Sequence, residues 1–355
     1  MAATAVVTGF RLRPMEAGDG PAMARLLREE AQTTRISLTT TYRHDVVTSL
    51  LAQHPSLFGV VAEVPGDDRL AGMATAFMQD LTIGGRPYRT AFLENLKVRS
   101  DLRRQGLGGR LAAWRIEEAE RRTDGDLVVM TVMDSTNEGS LATARRWATQ
   151  ILGPITVRIT RMGGAARSDI GIRVRPLQDA DVAAVVDGAR TFYVGYDLAP
   201  VITPDLLDEL LASTALGEPI REYRVAVADD GSILGGAGVG ERYKVMVDHI
   251  DRIPAPLALL GRLTGVLPAD RILRSVELFL VWHRPGRADA ARVLWDAIRA
   301  EWRDRATGVG ALVDPRGTLH DAMPVGRMPG PDIRLTVAVR SPKPIAEDRL
   351  IYLWR

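Results

Sequence analysis

Apolar and polar residues alternate through "LFGVVAEV" (Leu57–Val64) and again through "YRVAVA" (Tyr223–Ala228), the period of a half-buried β-strand. Each run meets an Asp/Gly turn and then a second apolar stretch, "LAGMA" (Leu70–Ala74) or "LGGAG" (Leu234–Gly238), so each predicts a β-hairpin. A longer strand follows in both places, "FLENLKV" (Phe92–Val98) and "SVELFLV" (Ser275–Val281). Helical apolar spacing comes next, in "LGGRLAAWRIEEAERR" (Leu107–Arg122) and "AARVLWDAIRAEWRDR" (Ala290–Arg305). A short apolar strand ends each series, "DLVVMTV" and "GALV".

The pattern therefore occurs twice. "FRLRPMEAGDGPAM" (Phe10–Met23) matches "IRVRPLQDADVAAV" (Ile172–Val185) at an offset of 162, superposing Arg13 on Arg175 and Asp19 on Asp181. The hairpins match at 164 and the long strands at 183, which sets Glu94 on Glu277 and Val98 on Val281. The growth of 19 predicts an insertion in the second copy, within Val245–Ala269. We expect two domains, 1–165 and 166–355, joined near Arg161–Asp169. Both are of one α/β class (α+β, mixed sheet).

Bulk properties narrow the class. The 355 residues are 46% hydrophobic and 25% charged, with a net charge of +2 and no cysteine. Both signs are interspersed, so no basic block argues for nucleic acid. Without cysteine there are no disulfides, thiolate metal sites or cysteine nucleophile, which fits a reducing cytoplasm. "MAATAVVTGF" lacks the pattern of a signal peptide, and no run suits a membrane span. A cytoplasmic monomer or homodimer is expected. His44, His54, His249, His283 and His320 show no metal-ligand spacing.

The chemistry concentrates in "VRSDLRRQGLGGRL" (Val98–Leu111), where a strand runs into a helix. A helix N-terminus offers unpaired N–H groups and about half a positive charge. Glycines let a ligand approach that backbone, and Arg103, Arg104 and Arg110 add charge. The combination suits a diphosphate. It lacks the Gly-Lys-Ser/Thr of a Walker loop, and it follows a meander of strands, unlike a dinucleotide fingerprint. "GGAGVG" (Gly235–Gly240) precedes no helix and is read as a hairpin with close backbone approach.

"AFLENLKVRSDLRRQGLGGRLAAW" resembles the central motif of the GNAT superfamily, the acyl-CoA-dependent N-acetyltransferases, whose Gln/Arg-x-x-Gly-x-Gly/Ala is met by Arg103, Gly106 and Gly108. The order of elements across Phe10–Gly153 is similar to that family's, and "MDSTNEGSLATARRWATQILGP" resembles its next element. The resemblance implies two tandem GNAT-like domains and acetyl-CoA as co-substrate, without a metal. It implies cofactor contacts from Leu96, Val98, Arg99, Arg103, Arg104, Gln105, Gly106, Leu107, Gly108, Gly109 and Asn137. In the second copy, Gly286, Asp289 and Ala291 replace Arg103, Gly106 and Gly108. A carboxylate there repels phosphate, so only the first copy is expected to hold CoA.

An amine must lose its proton before attacking a thioester, which costs about 4–5 kcal/mol for a lysine-like amine at pH 7. A positioned carboxylate can take that proton. Glu94 is the candidate base, and strict alternation places Glu94, Leu96 and Val98 on one face. Glu277 in the other copy supports the alternative, an architectural acid. The tyrosine that many GNAT enzymes use as general acid is absent from "EGSLATARRWATQILG", leaving water, Ser140 or the second domain. Tyr42 and His44 are candidates for the acceptor pocket, although loop packing explains both. Tyr193 and Tyr196 are placed either in the core or across the inter-domain cleft.

The expected activity is acetyl transfer to a primary amine of a small molecule. A peptide or protein amine, transfer of a longer acyl group, and non-catalytic acyl-CoA binding are the alternatives.

Overall fold

The computed structural model describes residues 9–30, 37–164, 171–212, 217–255, 258, 261, 267–325 and 333–353. The first repeat runs β1 (Arg11–Pro14), α1 (Gly20–Glu29), β2 (Ser37–Tyr42), α2 (Val46–Gln53), β3 (Phe58–Glu63), β4 (Leu70–Ile83), β5 (Arg86–Val98), α3 (Leu107–Arg121), β6 (Leu127–Asp134), α4 (Glu138–Ala144) and β7 (Gln150–Arg161). The second opens with β8 (Ile172–Pro176), α5 (Val182–Tyr193), β9 (Tyr196–Asp197), β10 (Ala199–Pro200), α6 (Pro204–Leu211), β11 (Arg221–Ala228) and β12 (Ile233–Gly240). It continues with β13 (Met246–Arg252), β14 (Ile272–Leu273), β15 (Ser275–His283), α7 (Ala288–Glu301), β16 (Gly308–Val313), α8 (Thr318–Ala322), β17 (Ile333–Arg340) and β18 (Leu350–Ile351).

The two copies predicted from the apolar pattern form one 13-stranded mixed sheet. It runs β1-β3-β4-β5-β6-β17-β7-β16-β15-β12-β11-β8, with β10 paired to β4. The order at its centre was not predicted. β17, from the chain's far end, lies between β6 and β7 and pairs with both. β7 pairs with β17 through Gln150–Val157 and with β16 through Thr156–Arg161. Each repeat thus completes its sheet with a strand of the other.

The alternation explains the layers. On the first repeat, Met73, Phe77, Leu81, Phe92 and Met130 face α1 and α2. Ala76, Ala91, Leu93 and Val129 point the other way, toward Ile116 and Ala119 of α3. In β12 the glycines answer to close approach: a Cβ on Gly238 would stand 2.3 Å from the Phe279 ring. Tyr193 and Tyr196 are core residues, and the Tyr193 hydroxyl donates to the Val281 carbonyl at 2.6 Å.

The predicted insertion contributes β13, which pairs with β2 of the first repeat from Met246↔Tyr42 to Arg252↔Ser37. Most of Pro256–Pro268 lies outside the described residues. So does most of the junction expected at Arg161–Asp169.

His54 stacks on Phe77 with ring centres 3.7 Å apart, and Phe77 stacks on Phe92 at 5.1 Å. Burial, with a smaller push from Arg221, lowers the imidazole to about 3. The folded state therefore holds His54 neutral. Its contribution is complete above the unfolded value near 6.5 and is lost as pH falls toward 3. Between pH 7 and 5, where carboxylates stay ionised, the urea midpoint should fall more steeply for wild type than for His54→Phe. Equal slopes would remove this role.

Candidate functional site

α3 starts without a side-chain cap. Asp45, Asn137 and Thr203 cap α2, α4 and α6 by accepting from Thr48, Ser140 and Leu206 backbone N–H groups. At the same position α3 has Gly106, whose φ of +81° is strained for other residues. The first-turn N–H groups of Leu107, Gly108 and Gly109 thus lack this means of satisfaction. Gly108 has an ordinary helical φ, so the backbone does not demand glycine there. A Cβ on it would meet Leu96 at 3.8 Å and Thr143 at 4.0 Å, ordinary contacts. The glycine keeps this space clear, and the fold does not need it clear.

The arginines of the motif divide into two groups. Arg99 is buried, its guanidinium held by Asp67 at 2.8 Å and Asp101 at 2.7 Å. Its side chain braces the loop and is not open to a ligand, which corrects its place among the expected cofactor contacts. Arg103 pairs with Glu30, and its Nε donates to the Val98 carbonyl at 3.2 Å. Buried Glu30 also accepts from the Ser100 N–H at 2.6 Å, so it staples the loop to the end of α1. Arg104, Arg110 and Arg146 have no carboxylate partner among the described residues. Arg146 Nη1 would lie 3.2 Å from a Cβ on Gly109. The sequence reading missed Glu30 and Arg146; their role depends on contacts 73 and 37 residues away, with Arg103 and Gly109.

Beside α3 the sheet opens. The parallel β5–β6 ladder ends at Phe92↔Met130; one residue on, Thr131 Oγ1 donates to the Leu93 carbonyl at 2.8 Å, and the described ladder goes no further. Leu96 and Val98, packed with Leu107 and Leu111 of α3, line one lip of this wedge. Asn137, capping α4, stands after β6 on the other. Gln105 is half-buried in the turn before α3.

Glu94 does not share the face of Leu96 and Val98, contrary to the alternation. Thr75 pairs with Glu94 but Met73 with Lys97, so β5 carries one extra residue. Asn95 is that bulge, with φ of +49° and its amide donating to Thr75 Oγ1 at 3.1 Å. Leu93 and Leu96 thus both face α3, while Glu94 turns to the face of α1 and α2. Buried Arg115 donates to the carbonyls of Thr75 and Glu94, each at 2.9 Å, where the bulge opens the ladder. Burial lowers Arg115 to about 9, partly offset by Glu94.

The second repeat has the same bulge, at Leu280 with φ of +44°. There Gly238 pairs with Phe279 as Thr75 pairs with Glu94, and Gly240 with Glu277 as Phe77 pairs with Phe92. The strand offset is therefore 185, and the counterpart of Glu94 is Phe279. Glu277 corresponds to Phe92. The matched-acid argument for an architectural Glu94 falls with that correction.

On the face of Glu94, β2 and β13 bring further groups together. Tyr42 is half-buried, and its phenol is pushed up to about 12, first by burial and then by Glu94 and Asp248, with Arg242 opposing. Arg242 Nη1 donates to Asp248 at 2.6 Å, and its Nε lies 3.5 Å from Glu277. Tyr42 therefore shares a cluster with Glu94, and Arg242, Asp248 and Glu277 come from the second repeat. His44 is not in it; it is exposed in the turn before α2. Ser140 donates its backbone N–H to Asn137 at 3.0 Å.

The equivalent wedge of the second repeat is shut. His283, at the place of Val98, hydrogen-bonds Thr318 at 2.7 Å and so ties β15 to α8. Leu319, Ala322 and Met323 share one buried cluster with Ala290, Ala291 and Leu294 of α7. Asp289 occupies the first turn of α7, paired with Arg287 at 2.9 Å. Among the described residues no His/Cys/Asp/Glu group suits a metal, and no helix is long and apolar enough to cross a membrane.

Residues 22–148 match the model of the acetyltransferase (GNAT) family. That match spans most of the first repeat. The resemblance in the motif, the order of elements and the family match agree on this segment. Solved structures extend the likeness to the whole chain at the level of fold. An N-myristoyltransferase from Saccharomyces cerevisiae with bound myristoyl-CoA gives a TM-score of 0.63 at 13% identity, covering 93% of this chain and 82% of its own. A GCN5-related N-acetyltransferase from Sphaerobacter thermophilus gives 0.56 at 15%, covering 94% and 96%. A tandem GNAT protein from the clavulanic acid biosynthesis pathway gives 0.53 at 14%, covering 95% and 99%. A curated protein named nitrogenase iron-molybdenum cofactor biosynthesis protein NifN, from Rhizobium meliloti (strain 1021), is 25% identical over 275 residues. That match covers 70% of this chain, which spans 57% of the relative's length. Over its whole length the chain thus has the fold of these two-repeat proteins, and residues 22–148 carry the family match.

Proposed function

We propose that the chain transfers an acetyl group from acetyl-CoA to a primary amine of a small molecule, with the GNAT domain of the first repeat holding the donor. One contrast carries this reading: the glycine-started helix beside an open wedge in the first repeat, against a helix with Asp289 in its first turn beside a closed wedge in the second. The N–H groups of Leu107, Gly108 and Gly109, with Arg104, Arg110 and Arg146, would hold the diphosphate. Leu96, Val98 and Asn137 would line the path of the pantetheine arm. The thioester supplies an activated acyl group with a thiolate leaving group of pKa about 8.5.

Glu94 would accept the proton that the acceptor amine must lose, directly or through water. Tyr42, kept protonated by its surroundings, would offer a hydrogen-bond donor on the same face. The second repeat would supply the opposite wall through Arg242, held in place by Asp248. Glu94 and Glu277 favour an acceptor that arrives as a cation.

Glu94→Gln keeps the shape and removes the base. It should lower acetyl-CoA consumption against a panel of small amines by about 100-fold or more, with the acetyl-CoA Kd unchanged. Unchanged turnover would remove Glu94 as base. Turnover with peptide amines alone would change the acceptor class.

A further inference from the structure

Directly below the wedge, on the face of Glu94, the structure holds a small cavity. Gln79, Leu81, Phe92, Met130, Leu198 and Leu353 are among the residues lining it, and its volume is about 10 Å³. That is the space of roughly one water-sized sphere. Two of these residues, Phe92 and Met130, are the last pair of the β5–β6 ladder. Leu198 and Leu353 belong to the second repeat, so the floor of the cavity comes from the other half of the chain. Phe92 precedes Glu94 by two residues on the same face, about 7 Å along a strand. Its ring is fixed by the stack through Phe77 to His54.

We propose that Phe92 is the gate that limits acyl chain length, and that the small cavity behind it is the start of an acyl pocket floored by the second repeat. This rests on the acyl-CoA reading above. A thioester lying in the wedge reaches the Glu94 face through the gap where β5 and β6 part. The acyl group emerging there meets the last paired residues first. Phe92 stops it after about two carbons, and the cavity beyond is too small for more. In the second repeat the place of Phe92 is taken by Glu277, so this gate belongs to the first repeat alone.

The test measures Kd for CoA, acetyl-CoA, butyryl-CoA and hexanoyl-CoA with wild type, Phe92→Ala and the milder Phe92→Leu. Wild type should bind hexanoyl-CoA no more tightly than acetyl-CoA. Phe92→Ala should raise the hexanoyl-to-acetyl affinity ratio at least tenfold, against a ceiling of about fourfold per buried methylene. Phe92→Leu should move the ratio the same way by less. Leu198→Phe added to Phe92→Ala should reverse the gain by refilling the cavity. CoA affinity should stay constant throughout. A flat ratio in both Phe92 variants with CoA still bound overturns the gate, as does a wild type that already prefers hexanoyl-CoA. If CoA itself does not bind wild type, the acyl-CoA reading fails and the gate with it.

Discussion

Gly108→Asp should abolish acetyl-CoA binding while leaving the fold as stable as before, or more so. Aspartate in the first turn of a helix complements the macrodipole by about 0.3–1 kcal/mol. Replacing a helical glycine by aspartate, which ranks just above it in helix propensity, gains about 0.3 kcal/mol more. The Cβ meets ordinary contacts at 3.8 and 4.0 Å, so little steric cost opposes this. The new carboxylate, however, lies where Leu96, Val98 and Thr143 border the wedge, and it repels a diphosphate. We expect acetyl-CoA affinity to fall at least 100-fold with thermal stability unchanged or raised. A structural glycine would show the reverse, with lost stability and retained affinity. The second repeat displays the natural version, with Asp289 in the first turn of α7.

The second large effect comes from a residue 229 positions from Gly108. Val337 is fully buried on β17, opposite Val132 on one side and Leu152 on the other. Val337→Asp places an unpaired charge in the core of the first repeat, at a cost on the order of 3–5 kcal/mol. Because β17 holds β6 and β7 together, the acetyl-CoA site should be lost along with the second repeat, in one cooperative unfolding transition. Urea unfolding followed by fluorescence and by CoA binding should give coincident midpoints. A surviving CoA site in a chain whose second repeat has unfolded would show that the repeats are independent. The exchange of β7 and β17 argues against that outcome.

The strand-to-helix turn was legible because its signal is local. Three glycines and several arginines stand within 14 residues where a strand gives way to a helix. The repeat was legible because both copies keep their apolar period. The face of Glu94 was not, since strict alternation assumes an unbroken ladder. The bulge at Asn95 depends on Arg115 and Thr75 satisfying the groups that it opens. The true counterpart of Glu94 was hidden for a different reason: each copy carries a glutamate, but the two lie two residues out of structural register. The exchange of β7 and β17 was hidden for another reason. Both read as apolar strands, and nothing in a strand's own sequence names its neighbour. Tyr42 was singled out, but Arg242, whose charge it feels, lies 200 residues away and is brought near by the pairing of β2 with β13.

The central claim is that one of two homologous repeats holds the acyl donor. Calorimetric titration of the full chain with acetyl-CoA tests it most directly. The account predicts one molecule bound per chain, lost in Gly108→Asp and kept in Asp289→Ala. Two molecules per chain, or one that survives Gly108→Asp, would contradict it.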